Sequence, residues 1–185
     1  MKVLLVIGLF CGVLARDCLK PQVLSSFDKN KFEGDWFSLA FQTPNKSEEV
    51  FYKDTKCSLN RFKLDQNGDS FTGEVDYLLG SNHIHYTGTF VLQDPSKANM
   101  KVKFASYPLA YTYDVVCSDY TTWAIIYSCA QIQDGHSSEF ISLMGRDRRK
   151  YEELIQNEDA QQCFRGNLKS SMALLQRRPQ EDCNN

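Results

Sequence analysis

The chain has 185 residues, of which 42% are hydrophobic and 12% aromatic, and its 21 basic and 23 acidic side chains give a formal net charge of -2. This apolar content excludes a disordered chain, and the lack of a strongly basic balance removes the attraction on which non-specific nucleic-acid binding depends. We therefore expect one soluble domain, or at most two small ones, and no nucleic-acid partner.

The first residues are typical of a secretory signal peptide. Lys2 precedes an apolar run from Val3 to Ala15. This run is too short to cross a bilayer as a helix, which disfavours a retained membrane anchor. A bulky residue before Cys11 disfavours another alternative, a bacterial lipid-attachment site. We predict that residues 1–15 are the signal peptide and that residues 16–185 form a single secreted domain with no membrane span.

Six cysteines remain after the predicted cleavage. An even number in an oxidising compartment predicts three disulfides. No pair has the CxxC spacing of a zinc site, and thiolates in an oxidising space pair with each other sooner than they stay free, so we expect no metal site. The six are Cys18, Cys57, Cys117, Cys129, Cys163 and Cys183.

The Asn45-Lys46-Ser47 triplet is an N-glycosylation acceptor. In a secreted protein such a triplet fits a surface loop, although a bare triplet can also stay unmodified. We predict a glycan on Asn45.

Between Gly34 and Arg146 the chain consists of short alternating segments separated by turn residues such as Asn67-Gly68. This spacing predicts an all-β sandwich or barrel rather than β-α-β units. An amphipathic helix follows, with its apolar face at Tyr151, Leu154 and Ile155, and should pack outside the sheet. The eight predicted strands lie near residues 34–41, 51–64, 70–79, 82–93, 98–105, 110–118, 121–130 and 137–145.

Alternation with period two separates inward from outward side chains. Eight antiparallel strands that close on themselves form an up-and-down barrel with room for one small ligand. The inward parity contains polar groups that are costly in a packed core, and inward-facing Gly73 and Gly88 should leave further room. We therefore predict a cavity; the alternative is a filled barrel with hydrogen-bonded core tyrosines.

The inward side chains form the predicted ligand wall. Aromatic rings supply apolar area, and tyrosine hydroxyls orient the polar ends of a ligand. The predicted wall consists of Asn60, Phe62, Phe71, Val75, Tyr77, Tyr86, Phe90, Met100, Val102, Phe104, Tyr113, Ile126, Phe140 and Ser142.

Three short segments, Gly34-Asp35-Trp36, Ser118-Asp119-Tyr120 and Gly145-Arg146, resemble in order and spacing the three signatures of the lipocalin family. Ser118 stands where the family usually has threonine. The resemblance implies an eight-stranded calyx closed at one end, where Trp36 packs under Arg146. It therefore implies structural roles for the signature residues Gly34, Trp36, Asp119, Tyr120 and Arg146.

Longer segments, among them Tyr127-Ser128-Cys129 and Ser138-Glu139-Phe140, resemble the group of apolipoprotein D, insect bilin-binding protein and crustacyanin. Members of that group bind biliverdin, carotenoids such as astaxanthin, or other apolar molecules. The resemblance implies disulfides Cys18–Cys129 and Cys57–Cys183, which leaves Cys117–Cys163. Because Cys117 shares the inward parity of Tyr113 and Val115, this last pair requires a twist near the strand end.

Other candidate chemistry is weak. His83 and His85 share a strand face, but an outward one, so we expect a solvated pair rather than a metal site. The basic cluster of Arg146, Arg148, Arg149 and Lys150 is expected to be a solvated face rather than a membrane-binding or partner surface. The chain has no GxSxG, HExxH or phosphate-loop motif, so we expect no catalysis and no catalytic cofactor.

These features together predict a secreted carrier that holds a small hydrophobic ligand in its barrel. We expect a pigment, either a carotenoid or a biliverdin-type tetrapyrrole, as the bound chromophore. The alternatives are a generic lipid or odorant carrier, a lipocalin enzyme acting through a free thiol at Cys117, and a protein that acts through its outer surface. A carotenoid is longer than a calyx is deep, so homo- or hetero-oligomers are also expected for that ligand.

Overall fold

The computed structural model describes residues 17–106, 109–132 and 137–183, so the predicted signal peptide lies outside the described residues. Eight antiparallel strands close into a barrel, which confirms the predicted fold class. The strands are β1 Gly34–Gln42, β2 Thr55–Leu64, β3 Ser70–Leu79, β4 Asn82–Leu92, β5 Asn99–Phe104, β6 Ala110–Ser118, β7 Trp123–Gln131 and β8 Ser137–Gly145.

The barrel closes through β1, which pairs with β8 on one side and with β2 on the other. The β1–β2 pairing covers only the first part of β1, with Trp36 opposite Asn60. Further along, a short strand β9, Gln176–Arg177, takes the place of β2 beside β1. The C-terminal segment therefore fills the seam where β1 and β2 diverge.

Within the described residues, four helices and one 3₁₀ turn accompany the strands: α1 Lys29–Phe32, α2 Lys46–Lys53, α3 Tyr151–Leu154, α4 Glu158–Leu168 and the turn Met172–Leu174. Helix α2 was not predicted, and the predicted strand at 51–64 begins too early. The predicted helical face also lies too early in the chain, because the segment with Tyr151 and Leu154 is only a short α3. The longer α4 packs on the outside of the barrel through Ala160, Phe164 and Leu168.

Strand direction distinguishes the two ends of the barrel. β1 starts next to α1 and runs to α2, and β2 returns in the opposite direction. At the α1 end, Phe32 packs against Trp36, Phe62 and Phe71 with ring centroids 5.2 to 6.1 Å apart. This aromatic core closes that end, so any opening to the lumen lies at the α2 end.

Arg146 fastens the closed end. Its guanidinium lies 3.7 Å from the ring centroid of Trp36 and donates hydrogen bonds to five backbone carbonyls. These carbonyls belong to Lys31, Phe32, Glu33, Asp35 and Tyr120. One side chain thus joins α1, the start of β1 and the β6–β7 turn.

The other signature residues support the same end. The Asp119 carboxylate accepts hydrogen bonds from the backbone N–H groups of Thr121, Thr122 and Trp123, which fixes the β6–β7 turn. The Tyr120 hydroxyl accepts from the backbone N–H of Asp28. Gly34 has φ +100, and a Cβ there would lie 3.2 Å from Arg146 Nη1, so this position favours glycine on both counts.

Three disulfides join Cys18 to Cys129, Cys57 to Cys183 and Cys117 to Cys163. The first two are the pairs that the resemblance implies, and the third is the pair that those two leave. A β-bulge in β6, between Val115 and Cys117, explains how Cys117 bonds outside the barrel. The extra residue reverses the inward and outward parity after Val115. Cys117 therefore faces α4, which carries Cys163.

Candidate functional site

The barrel encloses a cavity of about 490 Å³, a volume in the range of small-molecule sites. It lies above the aromatic core of the closed end and reaches α2. The lining residues are Ser38, Ser47, Glu48, Phe51, Tyr52, Thr55, Ser58, Asn60, Val75, Tyr77, Tyr86, Phe90, Val102, Phe104, Tyr111, Tyr113, Ile126, Ser128, Ser138, Phe140, Ser142, Met144 and Arg178.

The structure brings eleven of the fourteen predicted wall residues to this cavity. The other three, Phe62, Phe71 and Met100, do not line it. They do point inward, but they are buried in the aromatic core at the closed end. Parity assigns a side chain to a face of the strand and says nothing about its height in the barrel, which is why these three predictions were wrong.

The prediction that Gly73 and Gly88 leave room in the cavity was also wrong. The two glycines are directly paired across β3 and β4. A Cβ at Gly73 would meet the Phe90 ring at 2.3 Å, and one at Gly88 would meet the Phe104 ring at 2.8 Å. The missing side chains therefore make room for aromatic rings of neighbouring strands.

The deep part of the cavity is apolar and aromatic. Phe90 lies between Phe104 and Tyr113, with ring centroids 6.0 and 5.0 Å away and nearly perpendicular planes. Val102, Ile126 and Met144 complete this region. The Tyr113 hydroxyl donates to Met144 Sδ at 3.7 Å, and burial raises the pKa of this hydroxyl.

Neutral polar groups occupy the cavity wall above this deep apolar region, which forms the floor of the cavity. The hydroxyls of Ser38 and Ser142 lie 2.8 Å apart, and the Asn60 amide donates to the backbone carbonyl of Trp36 at 3.4 Å. Burial, and then a hydrogen bond with Tyr86, raise the pKa of the Tyr77 hydroxyl. These groups are neutral at physiological pH and can hydrogen-bond a ligand without adding charge.

Arg178 is the one cation among the described residues that line the cavity, and it is not among the predicted wall residues. Its side chain is only 5% exposed. Its guanidinium lies beside the rings of Phe41, Tyr52 and Phe140 at 5.0 to 6.0 Å. No local pattern indicated this position, because Arg178 enters the barrel through the long-range pairing of β9 with β1.

Helix α2 is the second part of the site that was not predicted. It contributes Ser47, Glu48, Phe51 and Tyr52 to the cavity. A sequence signal for it exists: Asn45 caps the helix by accepting from the backbone N–H of Ser47, and Glu48 follows three residues later. Phe51 is 43% exposed. An apolar ring at the open end of the barrel is thus partly accessible to solvent and to an entering ligand.

His83 and His85 lie outside the barrel, as their parity predicts. Both contact Oδ1 of the buried Asp76, at 3.1 and 2.9 Å, and Arg61 Nη1 lies 2.6 Å from the other carboxylate oxygen. Across the described residues there is no group of three or more His, Cys, Asp or Glu side chains arranged to hold a metal ion. In the same part of the chain, no helix is long and apolar enough to cross a membrane.

Comparison with known proteins identifies the family through relatives rather than through a family model. No family model matches the chain. Chicken retinol-binding protein 4 is 31% identical over 140 residues, which cover 70% of this chain and 69% of that protein. The chain belongs to the lipocalin family.

Two further matches lie in the group named by the resemblance. Apolipoprotein D of Cavia porcellus is 25% identical to this lipocalin over 170 residues, and the match covers 82% of each chain. Lobster apocrustacyanin A1 superposes with a TM-score of 0.64 at 17% identity, covering 88% of this chain and 91% of that one. The second comparison supports the fold alone.

Proposed function

We propose that this lipocalin is a secreted carrier that holds one small, mainly apolar ligand in the calyx. The cavity of about 490 Å³ carries this proposal, because it combines an apolar aromatic floor with hydrogen-bonding groups on its wall. Burial of apolar ligand surface there would stabilise the complex by roughly 25 cal/mol per Å². The signal-like segment and three disulfides support secretion, since disulfides persist in oxidising compartments.

The proposed ligand is a pigment, either a carotenoid or a biliverdin-type tetrapyrrole. The rings of Tyr86, Phe90 and Phe104 offer flat apolar surface to a conjugated molecule. The proposal includes no catalytic step and no catalytic cofactor. A carotenoid would protrude from the calyx and favour oligomers, whereas a folded bilin fits inside one barrel.

A carrier of uncoloured lipids is the second candidate function. It is favoured by the similarity to chicken retinol-binding protein 4, whose name assigns retinol to that protein. An absorption spectrum of protein from its natural source, followed by mass spectrometry of the solvent extract, separates the two. A visible band with an extracted tetrapyrrole or carotenoid mass supports the pigment carrier, and a colourless preparation with an extracted lipid supports the second candidate.

A cavity-filling variant tests the site itself. Val75 lines the cavity, whereas Val91 is 44% exposed on the outer face of the barrel. We expect Val75→Trp to lower the affinity for retinol and biliverdin at least about tenfold in equilibrium dialysis, because the indole occupies ligand space. The matched control Val91→Trp should bind like the wild type. Undiminished binding by a folded Val75→Trp protein would show that the ligand sits elsewhere.

A further inference from the structure

The backbone of the C-terminal segment fixes Arg178 in place. Its N–H donates to the carbonyl of Leu39 at 2.8 Å, and the next carbonyl, of Pro179, accepts from the N–H of Cys57. The Cys57–Cys183 disulfide anchors the same segment. Alternation then turns Arg177 outward, with its side chain 49% exposed, and Arg178 inward, so the backbone directs the Arg178 side chain into the barrel.

The Arg178 guanidinium is short of polar partners. Among the described residues no carboxylate lies within 4.0 Å of it, since every ion pair found there involves other cations. Nη1 donates to Ser38 Oγ at 2.7 Å, and the buried Nε has no hydrogen-bond partner. A guanidinium has five N–H donors. Contact with aromatic rings offsets only part of the desolvation cost of burying an unpaired cation.

The surroundings indicate what would complete this site. The one acidic residue among the described cavity-lining residues is Glu48 on α2, and its carboxylate accepts from Thr43 Oγ1 at 3.0 Å. The remaining lining is apolar or neutral, so among the described residues the Arg178 guanidinium has no carboxylate within ion-pair distance in this largely apolar cavity. Burial lowers the pKa of Arg178 to about 10, which still leaves the guanidinium charged at neutral pH.

We propose that the calyx selects an amphipathic ligand whose carboxylate pairs with Arg178 while its apolar body fills the aromatic floor. This inference rests on the proposed carrier function and narrows its ligand. A planar carboxylate matches the fork of guanidinium donors and neutralises a single charge. A long-chain fatty acid and the propionate group of a biliverdin both carry this chemistry, and a neutral carotenoid does not.

The test compares acids with their uncharged esters on the folded wild-type protein. The probes are cis-parinaric acid with its methyl ester, and biliverdin with its dimethyl ester, titrated at pH 7. We expect the acid to bind at least about tenfold more tightly than the ester in one pair or both, and the pair that shows the preference identifies a linear or a tetrapyrrole acid. Equal affinity of acid and ester in both pairs would overturn the role of Arg178 and leave the carrier function standing. Failure of all four probes to bind would contradict the carrier function itself.

Substitutions of Arg178 test whether this side chain causes the preference for the acid over the ester. Arg178→Met keeps the length and apolar contacts of the stem but removes the charge, and we expect it to abolish the acid-over-ester preference. Arg178→Lys should retain part of it, because the ammonium keeps the charge and loses the planar fork. Arg177→Met is the matched control, since it removes the same charge from the neighbouring outward-facing residue. A wild-type preference that persists in Arg178→Met, or that Arg177→Met also abolishes, would refute the assignment.

Discussion

Truncation of Arg146 to alanine should weaken the fold more than any substitution in the neighbouring basic cluster. Two of its five carbonyl partners, those of Phe32 and Tyr120, are reached by partly buried hydrogen bonds, and the guanidinium covers the buried Trp36 ring. Each such bond contributes about 1–1.5 kcal/mol and the ring contact about 1 kcal/mol. Water replaces the three exposed bonds, so the expected loss is about 3–4 kcal/mol.

The assay is urea unfolding at pH 7, followed by far-UV circular dichroism with the disulfides intact. Arg149→Ala is the matched control, because Arg149 is 84% exposed and bonds only its neighbour Asp147 among the described residues. We expect the control to change the free energy of unfolding by less than about 0.5 kcal/mol. If Arg146→Ala lost no more stability than Arg149→Ala, the fastening of the closed end by this side chain would be refuted.

Two further predictions concern the C-terminal segment and pH. Replacing both Cys57 and Cys183 with serine should lower the free energy of unfolding in urea by about 2–5 kcal/mol and weaken the acid-over-ester preference. The control variant, with both Cys18 and Cys129 replaced by serine, should keep that preference. If the preference were kept in the first variant and weakened in the control, the Cys57–Cys183 disulfide would not position Arg178. Burial raises the pKa of Asp114 from 3.8 to about 6, so its contribution to stability is present below pH 4 and is lost as the pH rises through 6. Asp114→Asn should therefore flatten the pH dependence of the melting temperature between pH 4 and 6. It should also raise the free energy of unfolding at pH 7 by about 1–2 kcal/mol, after allowance for partial exposure. A melting temperature that depends on pH as steeply as in the wild type would contradict this role of Asp114.

The barrel could be predicted from sequence because its strands alternate strictly over long stretches. In β4, for example, Tyr86 and Phe90 face inward and His83 and His85 face outward, and the pairing with β3 runs without a register shift. Period two therefore gave the correct face for most of the cavity wall. Phe62, Phe71 and Met100 also face inward, but period two could not place them below the cavity, because depth along the barrel depends on how the strands tilt and on what fills the closed end.

The rest of the site depends on long-range pairing that local patterns do not encode. Arg178 lies in a short segment with no periodic signal, and it reaches the lumen only because β9 pairs with β1 far away in the chain. Strict alternation likewise does not predict the bulge in β6 that turns Cys117 toward α4. The helix α2 was predictable from its Asn45 cap, but the apolar residues Val50 and Phe51 resemble the start of a strand.

A crystal structure of the protein purified with its natural ligand tests the central claim most directly. We predict one ligand inside the barrel, in contact with Tyr86, Phe90 and Tyr113, with its carboxylate at the Arg178 guanidinium. A ligand bound on the outer surface, with the calyx occupied only by water, would contradict the carrier function proposed for this cavity.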